Sequence, residues 1–474
     1  MLLLATAVFV GSQACVPCHA AIARSYARTP MALSSGKAEP LAAVTFVAAG
    51  QRYSIRGKTL TFPGGTSTID YFIGSNAAGR AWLRERDGYL YELPVTWYAQ
   101  KKIWDASPGY EHDSWVRLNR AVEPSCLLCH ASRVRPVLGT QNRYGNPPFE
   151  ENGVSCERCH GPGSEHVRDP RQTRMVNPAR LDAERRDSVC SQCHLTADAR
   201  IERPNRRMAA FQAGERLSDY ATYLLWNAGL ASPGAVGLKV TSHVERLSAS
   251  ACKIASGDAL WCGTCHDPHT NTDKTQAACL SCHASAHHPE QMCATCHMPK
   301  TKSADANHGV LTDHSIPRTA KPALQNAATP ALAAFLGVAD DRALGLAYAE
   351  LGDPRARSYL SSAQPADWPV RLRLAVVEPV AARAAALYES VLKDQPGETA
   401  ALVNLGILYA AAGRTKEAIA VWERALAANP AAEEAALNLS IALPPKEAIE
   451  AINRYLELNP ASPPARARLK EIQR

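Results

Sequence analysis

The clearest chemistry in the sequence comes from a repeated arrangement of cysteine and histidine. Among 474 residues there are fifteen cysteines and fifteen histidines, and fourteen of the cysteines fall into seven copies of Cys-x-x-Cys-His. This is the attachment pattern of c-type haem, in which both thiols bond to the porphyrin and the adjacent histidine ligates the iron. The sequence therefore predicts seven covalently bound c-type haems. The seven copies are Cys15/Cys18/His19, Cys126/Cys129/His130, Cys156/Cys159/His160, Cys190/Cys193/His194, Cys262/Cys265/His266, Cys279/Cys282/His283 and Cys293/Cys296/His297, numbered motifs 1 to 7 below.

Zinc and disulfide bonds are the alternative uses of paired cysteines. Zinc ribbons also contain Cys-x-x-Cys pairs, but they do not require a histidine after every second cysteine. A disulfide framework would likewise leave the adjacent histidines unexplained. The pattern therefore favours haem. Cys252 is the one cysteine outside the motifs; we interpret it as a buried, inert residue, and the alternative is a reactive or ligating thiol.

A second axial ligand completes the coordination of a haem iron, and histidines outside the motifs are its natural source. There are eight of them, close to the seven that a full set of bis-histidine haems would need. Any one of them could instead be an ordinary polar residue. Ligation is favoured because several lie directly after or between haem motifs. The eight candidates are His112, His166, His243, His269, His287, His288, His308 and His314.

The position of His269 limits which haem it can ligate. It follows His266 by three residues, and three extended residues span about 10 Å, too short to pass around a porphyrin. We therefore expect His269 to ligate a neighbouring haem, and His166, which follows His160, to do the same. Met31 is a further distal candidate, because a thioether opposite histidine raises the reduction potential; the alternative is a gap-filling core residue.

Four segments resemble the multihaem cytochromes c with doubled Cys-x-x-Cys-His motifs. That family is related in haem arrangement to the nitrite reductases and hydroxylamine oxidoreductases. The resemblance covers about residues 11–318, and it implies that His166, His243, His269 and His314 are distal ligands. The four segments are Gly153–His166, Cys262–His269, Cys293–Lys300 and Thr312–Arg318.

Differences from the enzymes of that superfamily bear on activity. The nitrite reductases typically anchor their active haem through Cys-x-x-Cys-Lys, a motif that this sequence lacks. Where a related cytochrome often has a histidine after the first motif, this sequence has Met31. The resemblance therefore implies an electron carrier, with an enzyme as the alternative where one haem lacks a distal ligand.

The segments around the motifs indicate which elements must position the haems. Residues 12–318 form a predicted seven-haem domain with helices between motifs and little other regular structure. Within it, about residues 40–110 carry β-favouring residues split by Gly and Pro turns, which predicts a small β insert. Residues 319–332 have the composition of a linker, and residues 333–474 lack Cys and His. The predicted fold class is mainly α, with the β insert near the N-terminus and an α–α solenoid at the C-terminus.

The predicted solenoid rests on a match to the tetratricopeptide repeat. Pro396 and Pro430 are separated by its period of 34 residues, and Pro460 follows after 30. Stacked helix pairs bury a continuous core and present an extended surface, so we predict a protein-docking module. The alternative is that the repeats only stabilise the haem domain or a homodimer. The matching residues are Asn404, Gly406, Tyr409, Gly413, Ala418, Trp422, Ala425 and Pro430, with Gly345, Tyr348 and Gly352 in a degenerate earlier repeat.

Charge and the N-terminal segment bear on partners and location. The net charge of +7 does not indicate nucleic acid, because seven haems bring about fourteen ionisable propionates. Met1–Val10 resembles the apolar part of a secretory signal, although no cation precedes it and the first is Arg24. We interpret residues 1–11 as a truncated signal. Covalent haem attachment itself predicts a bacterial periplasmic or otherwise extracytoplasmic location.

Together these features predict an extracytoplasmic cytochrome that transfers electrons through seven haems to redox partner proteins docked on its repeats. No nucleic-acid partner is expected, and membrane association would come only through partners or an uncleaved N-terminus. One alternative is an oxidoreductase that acts on a nitrogen or sulfur oxyanion at one open haem. The other is a scaffold subunit of a respiratory complex.

Overall fold

The structure is a computed structural model that describes residues 8–226, 239, 241–270, 272–283, 291–306, 308–317 and 330–474. Along the chain it has a β-rich part (residues 35–122), a haem core that carries six of the seven motifs (within residues 123–317), and a helical C-terminal part (residues 341–472). His287 and His288, both distal-ligand candidates, lie outside the described residues. The same holds for Met1–Ala7 and for most of the predicted linker.

Strands occur mainly in the first half of the chain. The strands of the described residues are β1 (Ser35–Lys37), β2 (Leu41–Ala48), β3 (Gln51–Gly57), β4 (Thr59–Phe62), β5 (Gly65–Thr68), β6 (Tyr71–Ile73), β7 (Arg80–Arg86), β8 (Tyr89–Tyr98), β9 (Ile103–Ala106), β10 (Ser132–Pro136), β11 (Tyr144–Glu151), β12 (Ala199–Glu202), β13 (Ala221–Trp226), β14 (His266–Asp267), β15 (Thr272–Asp273), β16 (Lys300–Lys302), β17 (Val310–Thr312) and β18 (Leu332–Leu336).

Helices are short in the haem core and long at the C-terminus. They are α1 (Val16–Tyr26), α2 (Pro124–Leu127), α3 (Cys156–His160), α4 (Ser164–Arg168), α5 (Ala183–His194), α6 (His243–Ser248), α7 (Ala251–Ser256), α8 (Cys262–Cys265), α9 (Thr275–Cys282), α10 (Cys293–His297), α11 (Asp341–Glu350), α12 (Ala356–Ser362), α13 (Trp368–Val377), α14 (Ala381–Asp394), α15 (Thr399–Ala411), α16 (Thr415–Ala428), α17 (Glu433–Ala442), α18 (Pro445–Leu458) and α19 (Pro463–Ile472).

The first nine strands form two antiparallel sheets with a core of their own. One sheet has the order β2-β3-β4-β5 and the other β1-β6-β7-β8-β9. Alternation along β4 turns Leu60 and Phe62 inward and the threonines outward. Trp82 stacks on Trp104 with ring centroids 5.9 Å apart. These aromatic side chains therefore fill the core of the β-rich part itself.

A three-stranded sheet joins the haem core to the C-terminal helices. β13 lies between β12 and β18, and all three are antiparallel. Leu332–Leu336 falls at the start of the segment predicted as helical repeats, yet it forms the edge strand β18. Pairing with the buried strand β13 supplies hydrogen-bond partners that an isolated apolar segment lacks. The entry to the repeat region is thus part of the core sheet.

The C-terminal helices pack as antiparallel pairs with small residues at their crossings. Gly406 on α15 faces Trp422 on α16, and a Cβ atom added at Gly406 would collide with the indole ring. The Trp422 indole N–H donates to the Val403 carbonyl at 3.1 Å. The close approach of α15 and α16 therefore depends on glycine at this position.

The repeat helices rest on the β-rich part through the turns between repeats. The Leu118 amide donates to Asn459 Oδ1 at 3.0 Å, and Arg84 donates to the Leu458 carbonyl at 2.7 Å. One repeat earlier, the Tyr89 hydroxyl donates to the Ala427 carbonyl at 2.7 Å. The solenoid is therefore held along one edge by hydrogen bonds to the β-rich part.

The strand content changes the predicted fold class. Helical repeats form the C-terminal region as predicted, but strands also lie in the haem core, outside the small insert that the sequence indicated. The chain is therefore mixed α/β instead of mainly α. Short core strands carry few alternating residues, so their sequence signal is weak. Among the described residues, no helix has both the length and the apolar character needed to cross a membrane.

Candidate haem-binding site

A single connected cavity runs through the haem core. Its volume is about 3110 Å³, and residues of all seven motifs line it. Pockets for one small ligand usually measure about 300–1000 Å³. Of the β-rich strands and their loops, only Ser75, Ala77 and Ala78 among the described residues reach its wall. The cavity has the size and the lining for several large cofactors.

Short helices present the attachment residues to this cavity. Helix α3 spans one complete motif, Cys156–His160, and α10 spans another, Cys293–His297. The longer helix α5 ends on the motif that begins at Cys190. Residues at positions i, i+3 and i+4 share one helix face, so the two thiols and the histidine of a motif lie near each other. All fifteen cysteines lie within the described residues, and no disulfide bond joins any two of them.

Three pairs of imidazole rings face each other across the cavity at similar distances. The ring centroids are 6.4 Å apart for His19 and His166, and 5.9 Å apart for His160 and His269. His266 and His314 are 6.3 Å apart. Two imidazoles on opposite sides of one metal ion, each bonded at about 2 Å, have centroids about 6 Å apart. The pairs therefore have the separation of two axial ligands of one iron.

A fourth candidate imidazole lies close to two of these rings. The His243 centroid is 5.3 Å from that of His194 and 4.8 Å from that of His314. His314 is at ligand spacing from His266, so it is the distal candidate for motif 5. His243 is then the distal candidate for the iron bound by His194. The structure therefore brings the histidines of motifs 4 and 5 and two candidate distal ligands into one cluster.

Hydrogen bonds and burial prepare these imidazoles as ligands. The Nδ1 atoms of His160 and His166 lie 2.7 Å from the carbonyls of Val176 and Thr173, which leaves Nε2 for a metal. Burial lowers the pKa of His194, and it lowers the pKa of His243 to about 3, with neighbouring imidazoles adding to both effects. Both rings are thus neutral at pH 7, which is the ligating form.

Neighbouring motifs lie close enough for their thiols to interact. The Cys156 thiol adds to burial in raising the pKa of Cys15 to about 11. Other thiols of different motifs interact in the same way. These interactions place the motifs in the spatial order 1-3-4-5-6-7, with motif 2 beside motif 4. The interacting pairs are Cys15–Cys156, Cys129–Cys193, Cys159–Cys190, Cys190–Cys262, Cys265–Cys279 and Cys279–Cys293.

One predicted attachment residue, Cys296 of motif 7, lies apart from the cavity wall. Cys293 and His297 of the same motif line the cavity, whereas Cys296 is exposed and does not line it. The structure therefore does not bring this thiol to the haem space, where the sequence predicted it. Haem attachment through Cys296 stays a prediction.

The Met31 backbone lies beside motif 2, and Met31 lines the cavity. The Ser34 hydroxyl is 2.8 Å from the Met31 carbonyl and 2.9 Å from the His130 carbonyl. His166 is the residue that faces His19. Met31 follows motif 1 closely in sequence, whereas the pairing of His19 with His166 joins distant parts of the chain.

Two of the candidate histidines do not line the cavity. His308 Nε2 lies 2.6 Å from an Asp105 carboxylate oxygen, and its ring packs against Tyr98 in the β-rich part. His112 is exposed and is absent from the cavity wall. The contact with Asp105 keeps the His308 imidazole at the surface of the β-rich part. Neither residue is placed to ligate a cofactor in the cavity.

Cavity-lining side chains fit haem and not zinc. Arg158, Arg200 and Lys239 contribute cations to the wall, where propionates need partners. The buried Nδ1 atom of His130 has no hydrogen-bond partner. Among the described residues, no three or more His, Cys, Asp or Glu side chains gather as a direct metal site. The donors are instead spread along the cavity, as covalent haem requires.

Fold and site together are similar to those of multihaem c-type cytochromes, with tetratricopeptide repeats at the C-terminus. Residues 100–161 match the family of cytochrome c554 and c-prime, and residues 381–443 match the tetratricopeptide repeat. These matches confirm the predicted resemblance to multihaem cytochromes and the predicted repeats.

Among individual proteins, the chain is similar to the multihaem cytochrome MtrA of Shewanella baltica (strain OS185). They are 26% identical over 183 residues, which is 35% of this chain and 54% of MtrA. The chain thus spans about half the length of this curated relative. Two solved structures are also similar. MamA AMB-1 has 24% identity and a TM-score of 0.26, covering 28% of this chain and 78% of MamA. The outer cell wall cytochrome OcwA has 13% identity and a TM-score of 0.42, covering 97% of this chain and 99% of OcwA.

Proposed function

We propose that the protein transfers electrons through seven covalently bound haems in an extracytoplasmic compartment. Bound haem iron supplies the chemistry, because it takes up and releases single electrons. The observation that carries the proposal is the continuous order of attachment motifs along one cavity, with imidazoles facing each other at ligand spacing.

The protein's own residues hold four of the proposed haems in six-coordinate form. His166 is assigned to motif 1, His269 to motif 3, His243 to motif 4 and His314 to motif 5. His166 and His269 thus ligate haems of motifs other than the one each follows in sequence. Because the ligands of one haem come from two separate segments, each haem ties two parts of the chain together. Rigid ligation of this kind limits reorganisation when an electron arrives.

The repeat region is assigned to docking of a redox partner. Val376, Ile407 and Ile441 are exposed on α13, α15 and α17, the first helices of successive pairs, with Ile441 69% exposed. The solenoid contacts the β-rich part through its turns, so these helices keep an accessible surface. Exposed apolar residues on a stacked repeat surface favour binding of another protein.

The test of this function is low-temperature electron paramagnetic resonance of the oxidised holoprotein, after intact mass has counted the covalent haems. Seven haems, all low-spin, are expected of an electron carrier. Fewer than seven haems would contradict the assignment of the motifs. A high-spin signal that shifts on addition of nitrite or hydroxylamine would instead support catalysis.

One observation favours catalysis as a second function. Among the described residues, no imidazole ring packs opposite His130, His283 or His297, whereas the proximal histidines of motifs 1, 3, 4 and 5 each face one. An open position at one of these three motifs would bind a small nitrogen or sulfur oxyanion. Turnover of nitrite or hydroxylamine together with that high-spin signal would support this function, and a wholly low-spin spectrum would contradict it.

A further inference from the structure

A buried ion pair lies at the centre of the haem core. Arg246 Nε is 3.1 Å from Asp313 Oδ1, and Arg246 Nη2 is 3.1 Å from Asp313 Oδ2. The two side chains are only 5% and 3% exposed. Ser315 Oγ accepts a further hydrogen bond from Arg246 Nη2 at 3.1 Å. This geometry is the bidentate arrangement that fixes the relative orientation of two chain segments.

One side of the pair belongs to the helix that carries His243. Arg246 follows His243 by three residues on α6, so both side chains lie on neighbouring positions of one helix face. Between them, Glu245 accepts hydrogen bonds from the amides of Thr196 at 3.1 Å and Ala197 at 2.8 Å. These amides come shortly after motif 4. Helix α6 is therefore fixed to motif 4 and to Asp313 at the same time.

The other side of the pair belongs to the turn that carries His314. The Ser315 amide donates to Asp313 Oδ1 at 2.9 Å, which closes the turn around His314. His314 Nδ1 lies 2.9 Å from the Thr312 carbonyl, so Nε2 is the nitrogen presented to the cavity. The rings of His243 and His314 are 4.8 Å apart and nearly perpendicular.

We propose that Arg246 and Asp313 are positioning residues that set the distal imidazoles of two adjacent haems together. The inference rests on the proposed function, because it takes His243 and His314 as the distal ligands for motifs 4 and 5. The pair joins the two ligand-bearing segments directly, so a change in its geometry displaces both imidazoles. Residues of this kind orient metal ligands without touching the metal.

The test uses the full-length holoprotein with Arg246→Lys and, separately, Asp313→Asn. Lysine keeps the charge but loses the bidentate geometry, and asparagine keeps the shape but loses the charge. Low-temperature electron paramagnetic resonance should then show altered low-spin signals for two haems, about two-sevenths of the total intensity, with the other five unchanged. Both variants should affect the same two haems.

Arg342→Lys is the matched control. Arg342 makes a bidentate pair with Asp367 at 3.0 and 2.7 Å, and its side chain is also 5% exposed, but it lies in the repeat region. This variant should leave every haem signal unchanged. The inference is overturned by an unchanged spectrum in both Arg246 and Asp313 variants, by a change at a single haem, or by the same change in the control.

A double variant keeps the inference testable if the single variants do not fold. Arg246→Met combined with Asp313→Leu removes both charges and leaves neither unpaired. The same two haems should then show broadened signals, and an unaltered spectrum would overturn the inference. Failure of the proposed function is distinguished by the unmodified protein, since loss of low-spin bis-histidine signals there would refute the ligand assignment itself.

Discussion

The segment of residues 241–317 and the repeat helices of residues 341–472 are stabilised in different ways. In the described part of the first segment, Leu311 is the one buried hydrophobic side chain. The repeat helices instead contain a large apolar cluster around Leu402, Leu405 and Trp422. Residues 241–317 therefore mainly form cavity walls, whereas the repeat helices have an ordinary hydrophobic core.

This difference indicates which interactions drive the folding of each region. Burial of apolar side chains is the main driving force for folding, and the segment of residues 241–317 buries too few to fold by that means. The proposed covalent haems supply the missing apolar surface. The repeat helices stack on one another and need no cofactor. The two regions should therefore respond differently to loss of haem and to loss of core packing.

The largest effect is expected from preventing haem attachment in the full-length chain. Residues 262–283 and 293–306 should lose essentially all amide protection, because no protein core replaces the haem. Residues 399–428 should stay protected. Hydrogen exchange measured by mass spectrometry on the apoprotein and the holoprotein tests this. Equal loss of protection in both regions would show that the repeats also depend on haem.

A substitution in the repeat core should have the opposite selectivity. Trp422→Ala leaves a cavity next to Gly406 and should cost about 3–5 kcal/mol of repeat stability. The haem absorption spectrum at 25 °C should stay unchanged. Thermal unfolding followed by circular dichroism measures the loss, and Glu423→Ala, at an exposed neighbouring position, is the control. A change in the haem spectrum would show that the haem region and the repeat helices are not stabilised independently.

The contact between the repeats and the β-rich part should contribute a smaller amount. Asn459→Ala removes the acceptor of the Leu118 amide, and a buried unpaired amide costs about 1–3 kcal/mol. The repeats should then become more sensitive to limited proteolysis near residue 459. Asn453→Ala, at an exposed position of α18, should leave the cleavage rate as it is. Equal rates in the two variants would show that this contact does not hold the solenoid.

The remaining effect is a pH dependence within the β-rich part. Burial raises the pKa of Glu92 to about 7, although Arg120 partly offsets this. The folded state therefore holds a proton that the unfolded state releases near pH 4.5, so stability falls as pH rises from about 4.5 to 7, by at most about 1.4 kcal/mol per pH unit. Glu92→Gln should flatten this slope in thermal unfolding. A slope unchanged by the substitution would mean that Glu92 does not titrate in this range.

The sequence predicted the resemblance to multihaem cytochromes and the repeats because the cause of each pattern is local. A haem motif needs only five consecutive residues, and the repeat pattern recurs at a fixed period, so both are visible in one sequence. The facing of His19 and His166 depends on contacts between distant segments, which spacing does not reveal. Strand β18 was missed for a similar reason, since its apolar residues suit a helix until β13 is present as a partner.

The position of β18 also determines how the molecule can be divided. Because this strand pairs with β13 inside the core sheet, the repeat region is not an independent domain joined only by a flexible linker. Cutting the chain before residue 332 would turn β13 into an unprotected sheet edge with its backbone groups unpaired, a template for aggregation. An engineered fusion or truncation should therefore keep residues 332–336 with the cytochrome, and exchange repeats only beyond them.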